Sequence, residues 1–275
     1  MDRARTVGEL RPKPALVLSP DSTIASAAAK MQAGNADSGL VVSPEGGLVG
    51  ILTDTDVTRK VVAAGVDPTG VVVASVMTAS PMCVKSSDNA VEALCLMVER
   101  RFRHLPVLDE QGAVVGVLDI AKCLYEAITR LERHLSSASS ALSSAVLAAL
   151  PGHQQGGGQS LVEGMVQKLF APSLASLLES AQKARSTGGP PPPLTLGPHE
   201  SVQRAAEVMA ARGGAILVAS ETSPCAGILT PKDILFKLVG KGMAAADVTI
   251  ESVMTRSPDT MPSSATVLQA LHQLQ

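Results

Sequence analysis

The sequence predicts an α/β fold built from tandem copies of one strand–helix–strand–strand–helix unit. A helical segment with an alanine at the same position occurs four times, at Ala27, Ala93, Ala205 and Ala270. The spacing between the first two of these alanines is almost the same as the spacing between the last two. The end of a predicted hairpin shows the same period, since Gly50 and Gly116 are as far apart as Ala27 and Ala93. Two independent markers with one period indicate a duplicated unit.

The first copy contains each element of the unit in order. A short apolar strand is predicted at Ala15–Leu18, followed by a helix that starts after a Pro-Asp-Ser sequence and ends near Ala33. Two strands, at 40–43 and 48–52, flank a Pro-Glu-Gly-Gly turn and form a hairpin. A second helix is predicted to follow directly, at 57–64.

The second copy repeats this order of elements. Its predicted strands and helices are Met82–Lys85, Asn89–Arg101, His104–Leu108, Ala113–Leu118 and a helix from Ile120 to about Arg133. Because every element recurs at one period, the two copies are expected to share one fold.

Composition and the repeat together divide the chain into five segments. They are a first copy at 6–64, a second at 75–133, a linker at 134–193, a third copy at 194–240 and a truncated fourth copy at 250–275. The linker is rich in Ser, Ala, Gly, Gln and Pro, with helical periodicity between Leu161 and Leu178. The fourth copy stops inside its first helix, so we expect this sequence to be a fragment of a longer protein.

Composition argues against several functional classes. The net charge is −2, no basic tract occurs and aromatic residues make up 1% of the chain, which argues against a nucleic-acid surface. No apolar run approaches the length of a membrane span, and the N-terminus lacks an apolar signal core. A soluble intracellular protein, cytoplasmic by default, is therefore expected.

No combination of residues indicates catalysis or a metal site. The cysteines lack metal-ligand spacing and lie in apolar segments, which favours packing as small hydrophobic residues over a redox or metal role. They are Cys83, Cys95, Cys123 and Cys225. The histidines belong to different elements, and no Ser, Cys or carboxylate is spaced to act with them. The sequence therefore predicts a protein that is not an enzyme and has no cofactor.

The clearest chemical feature is a buried strand that ends in Thr-x-x-Asp where a helix begins. It occurs at Thr53 and Asp56, and again at Thr230 and Asp233. Unpaired N–H groups and the positive end of the helix dipole favour a phosphate or another anion at such a strand end. The alternative is that each threonine only caps its helix, which is common for Thr at this place.

Three short motifs stand at fixed places within the copies. Val-Met-Thr-x-x-Pro begins at Val76 and at Val253, Arg-His-Leu-Pro-Val begins at Arg103, and Gly-Ile-Leu-Thr-x-x-Asp begins at Gly227. Together they resemble the CBS (cystathionine β-synthase) domain, which pairs into Bateman modules. More closely, the chain is similar to plant and algal proteins that carry four CBS domains and a C-terminal Phox-and-Bem-type interaction domain, the latter absent from this sequence. The resemblance implies tandem β-α-β-β-α CBS repeats paired two by two.

This resemblance implies that an adenosine nucleotide binds at the strand ends. In CBS domains the Thr of the closing motif contacts phosphate, and the Asp binds the ribose hydroxyls, a role that suits a carboxylate. Basic residues before the second strand often reach the phosphate from the partner copy. Six residues are thus implied as nucleotide ligands: Thr53, Asp56, Arg103, His104, Thr230 and Asp233. A surface arginine and a packed histidine are the alternative for the Arg-His pair.

Two copies depart from the pattern. In the second, Asp119 replaces the Thr and Lys122 replaces the Asp. A carboxylate repels phosphate and a lysine cannot accept from a ribose, so no ordinary nucleotide site is expected there. The third copy lacks the Arg-His pair, and its partner copy is cut short, so the site at Thr230 and Asp233 is expected to be half built. This leaves Thr53 and Asp56 as the best predicted site.

We hypothesise from these features a regulatory, energy-sensing protein that modulates a partner protein. The expected ligand is AMP, ADP, ATP or S-adenosylmethionine. The alternative is a structural or dimerisation module whose sheets pair without any ligand. A protein partner or a homodimer is expected in either case, and neither nucleic acid nor a membrane span is.

Overall fold

The computed structural model describes residues 5–127, 129–130, 173–184, 193–221 and 223–273. These residues divide into two compact units. One comprises residues 5–120 and 193–259, and the other comprises the described residues of 121–184 and 260–273. The end of the last helix of the second copy and most of the predicted linker lie outside the described residues.

The predicted α/β fold is confirmed, because small sheets alternate with helices along the chain. The first sheet has four strands: β1 (Val17–Leu18), β2 (Ser38–Val42), β3 (Leu48–Thr53) and β4 (Thr78–Ala79). Strand β1 runs parallel to β2, whereas β3 is antiparallel to both β2 and β4. Since β4 lies in the Val-Met-Thr motif, the opening motif of the second copy completes the sheet of the first.

The sheet of the third copy has the same arrangement, and the sheet of the second copy has the first three of these strands in the described residues. The second consists of β5 (Val84–Lys85), β6 (His104–Leu108) and β7 (Val114–Asp119). The third consists of β8 (Leu194–Leu196), β9 (Ile216–Ser220), β10 (Ser223–Leu229) and β11 (Thr255–Arg256). Strands β1 and β5 are shorter than predicted, because only two residues of each pair with the next strand.

Side-chain caps start the long helices of the three copies. Thr23, Asn89 and Ser201 each accept a hydrogen bond from a backbone N–H in the first helical turn. In chain order the helices are α1 (Ile24–Ala33), α2 (Asp54–Val57), α3 (Val73–Val76), α4 (Ala90–Arg100), α5 (120–127), α6 (Leu174–Ala184), α7 (Val202–Arg212), α8 (Pro231–Asp233), α9 (Ile250–Val253) and α10 (Val267–Gln273). Helix α2 continues into a π-helical turn at Thr58–Val62, and α8 into one at Ile234–Leu238.

Among the described residues, the largest hydrophobic core joins the first copy to the third. Helix α1 packs against the segment Ile234–Lys241, and α7 packs against Thr58–Val62. Buried side chains of both copies, among them Met31 and Met209, belong to one continuous cluster. Because the apolar face of each helix is covered by the other copy, neither copy completes its core alone.

The first copy also contacts the second, through different surfaces. Leu40 and Ile51 of the first sheet form a small buried cluster with Val117 of the second. The N-terminal segment reinforces this contact, since Lys13 and Val117 exchange two backbone hydrogen bonds, both of 2.9 Å. The first copy therefore lies between the other two, with its sheet toward the second and its helices toward the third.

The cysteines only partly follow the packing prediction. Cys123 is buried and Cys225 is half-buried, but Cys83 and Cys95 are exposed, so the prediction is wrong for these two. Cys95 lies two positions after the buried Ala93 on α4, which turns it to the opposite side of the helix.

In the described part of the chain, no helix combines the length and apolar character that a membrane span requires.

Candidate functional site

Thr53 and Asp56 form a tight hydrogen-bonded pair at the point where β3 becomes α2. Thr53 is the N-cap residue, and its hydroxyl oxygen accepts a hydrogen bond of 3.2 Å from the backbone N–H of Asp56. In return, the backbone N–H and the hydroxyl of Thr53 donate to Asp56 Oδ2 over 3.1 and 2.7 Å. The capping role predicted as the alternative is thus present, in its reciprocal form.

Two further residues bind the other oxygen of the Asp56 carboxylate. Lys60 Nζ lies 2.8 Å from Asp56 Oδ1, and Thr78 Oγ1 lies 3.3 Å from the same atom. The Lys60 ammonium also donates to the backbone carbonyl of Val76 over 2.7 Å. We call Thr53, Asp56, Lys60 and Thr78 the first acidic cluster. It connects the strand end to the segment that leads into the second copy.

The third copy contains the same cluster, with every member displaced along the chain by the same number of positions. Its members are Thr230, Asp233, Lys237 and Thr255. The Lys237 ammonium lies 2.7 Å from Asp233 Oδ1, and the Thr255 hydroxyl donates to that oxygen over 3.0 Å. The lysine and second threonine were not predicted, although comparison of the two copies at this constant offset would have found them.

A cleft of about 620 Å³ opens beside the first acidic cluster. Thr53, Asp56 and Thr78 line one part of it. The residues that precede and begin β6 line another part, and most of them are basic: Arg100, Arg101, Phe102, Arg103 and His104. The structure thus brings together four of the six predicted residues, from two copies, around one cleft. Thr230 and Asp233 belong to the separate cluster of the third copy.

Arg103 and His104 are both paired with Asp37, which sequence reasoning missed. Arg103 Nη2 lies 3.3 Å from Asp37 Oδ2, and His104 Nε2 lies 3.2 Å from Asp37 Oδ1. The His104 side chain, helped by Arg103, holds the pKa of Asp37 well below its usual range against the opposing effect of burial. Asp37 precedes β2 by one residue, as Arg103 precedes β6, so the repeat places these two at matching positions.

The Nε2 atom of the His104 imidazole lacks a well-aligned hydrogen-bond partner among the described residues. The His104 side chain is 8% exposed. The 3.2 Å approach to Asp37 Oδ1 is too poorly aligned for a full hydrogen bond. A buried ring nitrogen of this kind gains from an additional acceptor in the cleft.

Asp54 is a buried carboxylate close to Asp37 and Arg103. Burial raises the pKa of Asp54, and the nearby charge of Asp37 raises it further. Its Oδ1 atom accepts hydrogen bonds from the backbone N–H and hydroxyl of Thr55, over 2.6 and 3.2 Å. The matching positions of the other copies hold Ile120 and Pro231, so the fold does not require a charge there.

We therefore expect Asp54→Asn to raise the Tm of the protein at pH 7 by about 2 °C, because it removes a desolvated charge. Since the pKa of Asp54 is raised on folding, protonation favours the folded chain as the pH falls. The advantage of the variant should then narrow as the pH falls from 7 toward about 4, the ordinary range of an aspartate. Thermal melts at pH 7 and at about pH 4 measure this. Asp67→Asn is the control, because hydrogen bonds from Thr69 lower the pKa of the exposed Asp67 and no rise is expected.

The second copy differs at this place, as the sequence predicts. Asp119 forms an ion pair of 3.2 Å with Lys13, and Lys122 lies 4.0 Å from Glu126. Glu126 occupies the position that matches Lys60, so both charges of the Asp–Lys pair are exchanged in this copy. The expectation that no ordinary nucleotide site exists here remains a prediction.

Comparison with known proteins gives consistent matches. The sequence model of the CBS domain matches residues 7–63, 73–128 and 190–240. The CBS domain-containing protein CBSCBSPB3 from Arabidopsis thaliana is 35% identical over 98% of this chain and 47% of its own length. The meiotically up-regulated gene 70 protein from Schizosaccharomyces pombe is 27% identical over 98% of this chain and 39% of its own length. The chain thus spans about half or less of these curated relatives.

One solved structure has a similar fold. The crystal structure of protein MJ1225 from Methanocaldococcus jannaschii superposes with a TM-score of 0.61 at 13% sequence identity. The superposition covers 98% of this chain and 88% of that one. At this identity the match supports the fold alone.

Proposed function

Because this chain belongs to the CBS domain family, we propose that it is a regulatory protein that senses an adenosine nucleotide. The proposed ligand site is the cleft beside the first acidic cluster, and the proposed consequence of binding is a change in affinity for a partner protein. The observation that carries the proposal is the convergence of a ribose-type acceptor, Asp56, with basic side chains from the next copy, Arg103 and His104, on one cleft.

The Asp56 carboxylate suits a ribose because a ligand can replace a partner of its Oδ1 atom, which Lys60 and Thr78 contact. Of these, the Thr78 hydroxyl is the weaker, since it is exposed and its hydrogen bond is 3.3 Å long. A ribose hydroxyl can take the place of Thr78 on Oδ1 without disturbing the capping bonds to Oδ2. Lys60 then keeps its second bond, to the Val76 carbonyl.

The basic side of the cleft suits a phosphate. Arg103 presents a planar guanidinium that is largely exposed and tied to Asp37 by one nitrogen at 3.3 Å, which leaves other donors for a phosphate. His104 adds a buried donor that lacks a well-aligned partner in the described part of the chain. A phosphate between these groups would satisfy both.

The link to a partner protein runs through the segment between the first two copies. Val76 and Thr78 both bind members of the first acidic cluster, and β4 completes the first sheet. A nucleotide that replaces Thr78 on Asp56 favours one arrangement of this segment over another. It can shift the two arrangements only by its difference in affinity for them.

Asp56→Asn should weaken binding of AMP and ATP by at least about tenfold, because the amide removes the charge and one acceptor from the ribose contact. The measurement is titration calorimetry on the full chain with AMP, ATP and S-adenosylmethionine. Asn keeps one oxygen for the capping bonds, so folding should be retained, and a circular dichroism melt checks this.

The matched variant is Asp233→Asn, which makes the same change in the third copy. Binding in the first cleft should survive it. If Asp56→Asn binds nucleotide as tightly as the unmodified protein does, the ligand is not held at this cluster.

A second candidate function is a structural module that needs no ligand. It is favoured by the joint core of the first and third copies, which is built from apolar side chains. This function requires that nucleotides leave the Tm unchanged and that any dimer persists in a variant lacking both Thr53 and Asp56. Sedimentation of that variant, with melts in the presence of nucleotide, separates the two candidates.

A further inference from the structure

A second cavity, of about 460 Å³, lies beside the cleft, between the first and third copies. The first copy lines it with Thr58 and Arg59, and the third copy lines it with Thr230 and Lys232. The cavity adjoins the cleft, because four residues line both: Asp54, Thr55, Arg59 and Arg103. A ligand that extends past these shared residues would occupy both.

Thr58 is a lining residue of this cavity whose hydroxyl is buried. Thr58 is 1% exposed, and its Oγ1 atom has no hydrogen-bond partner within the described residues. A buried hydroxyl without a partner destabilises a fold, so it is seldom kept without a reason. The matching positions of the other copies are Leu124 and Leu235, so the fold accepts an apolar residue there.

The charges around the cavity favour an anion. Three cationic side chains line it, Arg59, Arg103 and Lys232. The one carboxylate in its lining is Asp54, which is engaged with Thr55 and has a raised pKa because of burial. Lys232 Nζ lies 5.2 Å from the centre of the Phe236 ring, which positions the ammonium of the third copy without neutralising it.

We propose that this cavity binds the outer phosphates of a nucleoside di- or triphosphate whose nucleoside lies in the cleft. Thr58 and Lys232 are then specificity-determining residues, and the protein prefers nucleoside polyphosphates over the monophosphate. The inference rests on the proposed function for the position of the nucleoside, but the anion cavity itself stands on its own residues. Because Lys232 belongs to the third copy, a polyphosphate binds two copies at once.

Two substitutions test this preference by calorimetry with AMP and ATP on the full chain. Lys232→Met keeps the length of the side chain and its packing on Phe236 but removes the charge. It should weaken ATP binding by about tenfold and AMP binding by less than about twofold, since only ATP reaches the cavity. Lys241→Met, on an exposed lysine of the same copy outside this cavity, is the matched control and should change neither affinity.

Thr58→Val distinguishes a hydroxyl that binds the ligand from one that is purely structural. Valine has the same shape and no unpaired oxygen, so the Tm of the ligand-free protein should rise. ATP binding should nevertheless weaken severalfold, while AMP binding stays unchanged. A gain in stability combined with a selective loss of ATP affinity supports the inference, whereas unchanged ATP affinity in both variants overturns it.

Inorganic tripolyphosphate separates failure of this inference from failure of the proposed function. It should raise the Tm of the unmodified protein, and the rise should be reduced by Lys232→Met and by Thr58→Val. If tripolyphosphate acts in this way but neither nucleotide binds, the anion cavity stands and the proposed function fails. If AMP binds but tripolyphosphate has no effect and ATP binds no tighter than AMP, the proposed function stands and the cavity inference is wrong.

Discussion

Leu235→Asp is expected to unfold the first and third copies together, with a loss of more than about 4 kcal/mol in the free energy of unfolding. Leu235 is 0% exposed and belongs to the core that joins these copies. An aspartate there would be a charge without a partner in an apolar environment, which is among the most costly single substitutions. Because α1 packs against the same segment, loss of the third copy also uncovers the first.

Leu124→Asp is the matched control, since Leu124 occupies the same position in the second copy and is 40% exposed. Its effect should stay below about 2 kcal/mol, because Leu124 is only partly buried. Urea unfolding gives both free energies, and hydrogen exchange locates the damage. The backbone amides of α1 should lose protection in Leu235→Asp and keep it in Leu124→Asp. Full protection of α1 in the first variant would show that the two copies do not share a core.

Much of this fold could be predicted from the sequence because the period fixes which residues correspond. Ala27, Ala93 and Ala205, aligned by the repeat, are all buried on the inner face of their helices. The same alignment located the Thr-x-x-Asp pairs at the strand ends. Local signals such as a capping threonine act within a few residues, so they can be read without knowledge of the tertiary structure.

Other features depend on contacts between copies, and no local pattern encodes them. The pairing of Asp37 with Arg103 requires two residues at matching positions to meet across two copies. The joint core of the first and third copies was also not predicted, because an apolar helix face does not show which neighbour will cover it. The unpaired Thr58 hydroxyl is recognisable only after that neighbour is in place.

Residues at equivalent positions of the repeat can have different neighbours, and the glycines of the hairpins are one such case. Gly50, Gly116 and Gly227 align, yet a side chain added to each would meet different neighbours. At Gly50 and Gly227 the obstacle is the end of a methionine side chain, Met77 or Met254, which can move. At Gly116 the obstacle is the backbone carbonyl oxygen of Lys13, 2.5 Å from the added Cβ.

Gly116→Ala should therefore reduce the free energy of unfolding by about 2–4 kcal/mol, because the backbone at Lys13 cannot yield without a loss of hydrogen bonds. Lys13 and Val117 exchange two backbone bonds of 2.9 Å, and moving the carbonyl away from a new methyl group breaks both. Gly50→Ala should cost only about 1 kcal/mol, since Met77 can change rotamer. Urea unfolding of the two variants measures the difference, and exchange of the Lys13 and Val117 amides should quicken only in Gly116→Ala. Equal losses of unfolding free energy in the two variants would mean that the N-terminal segment can shift without cost and does not stabilise the second copy.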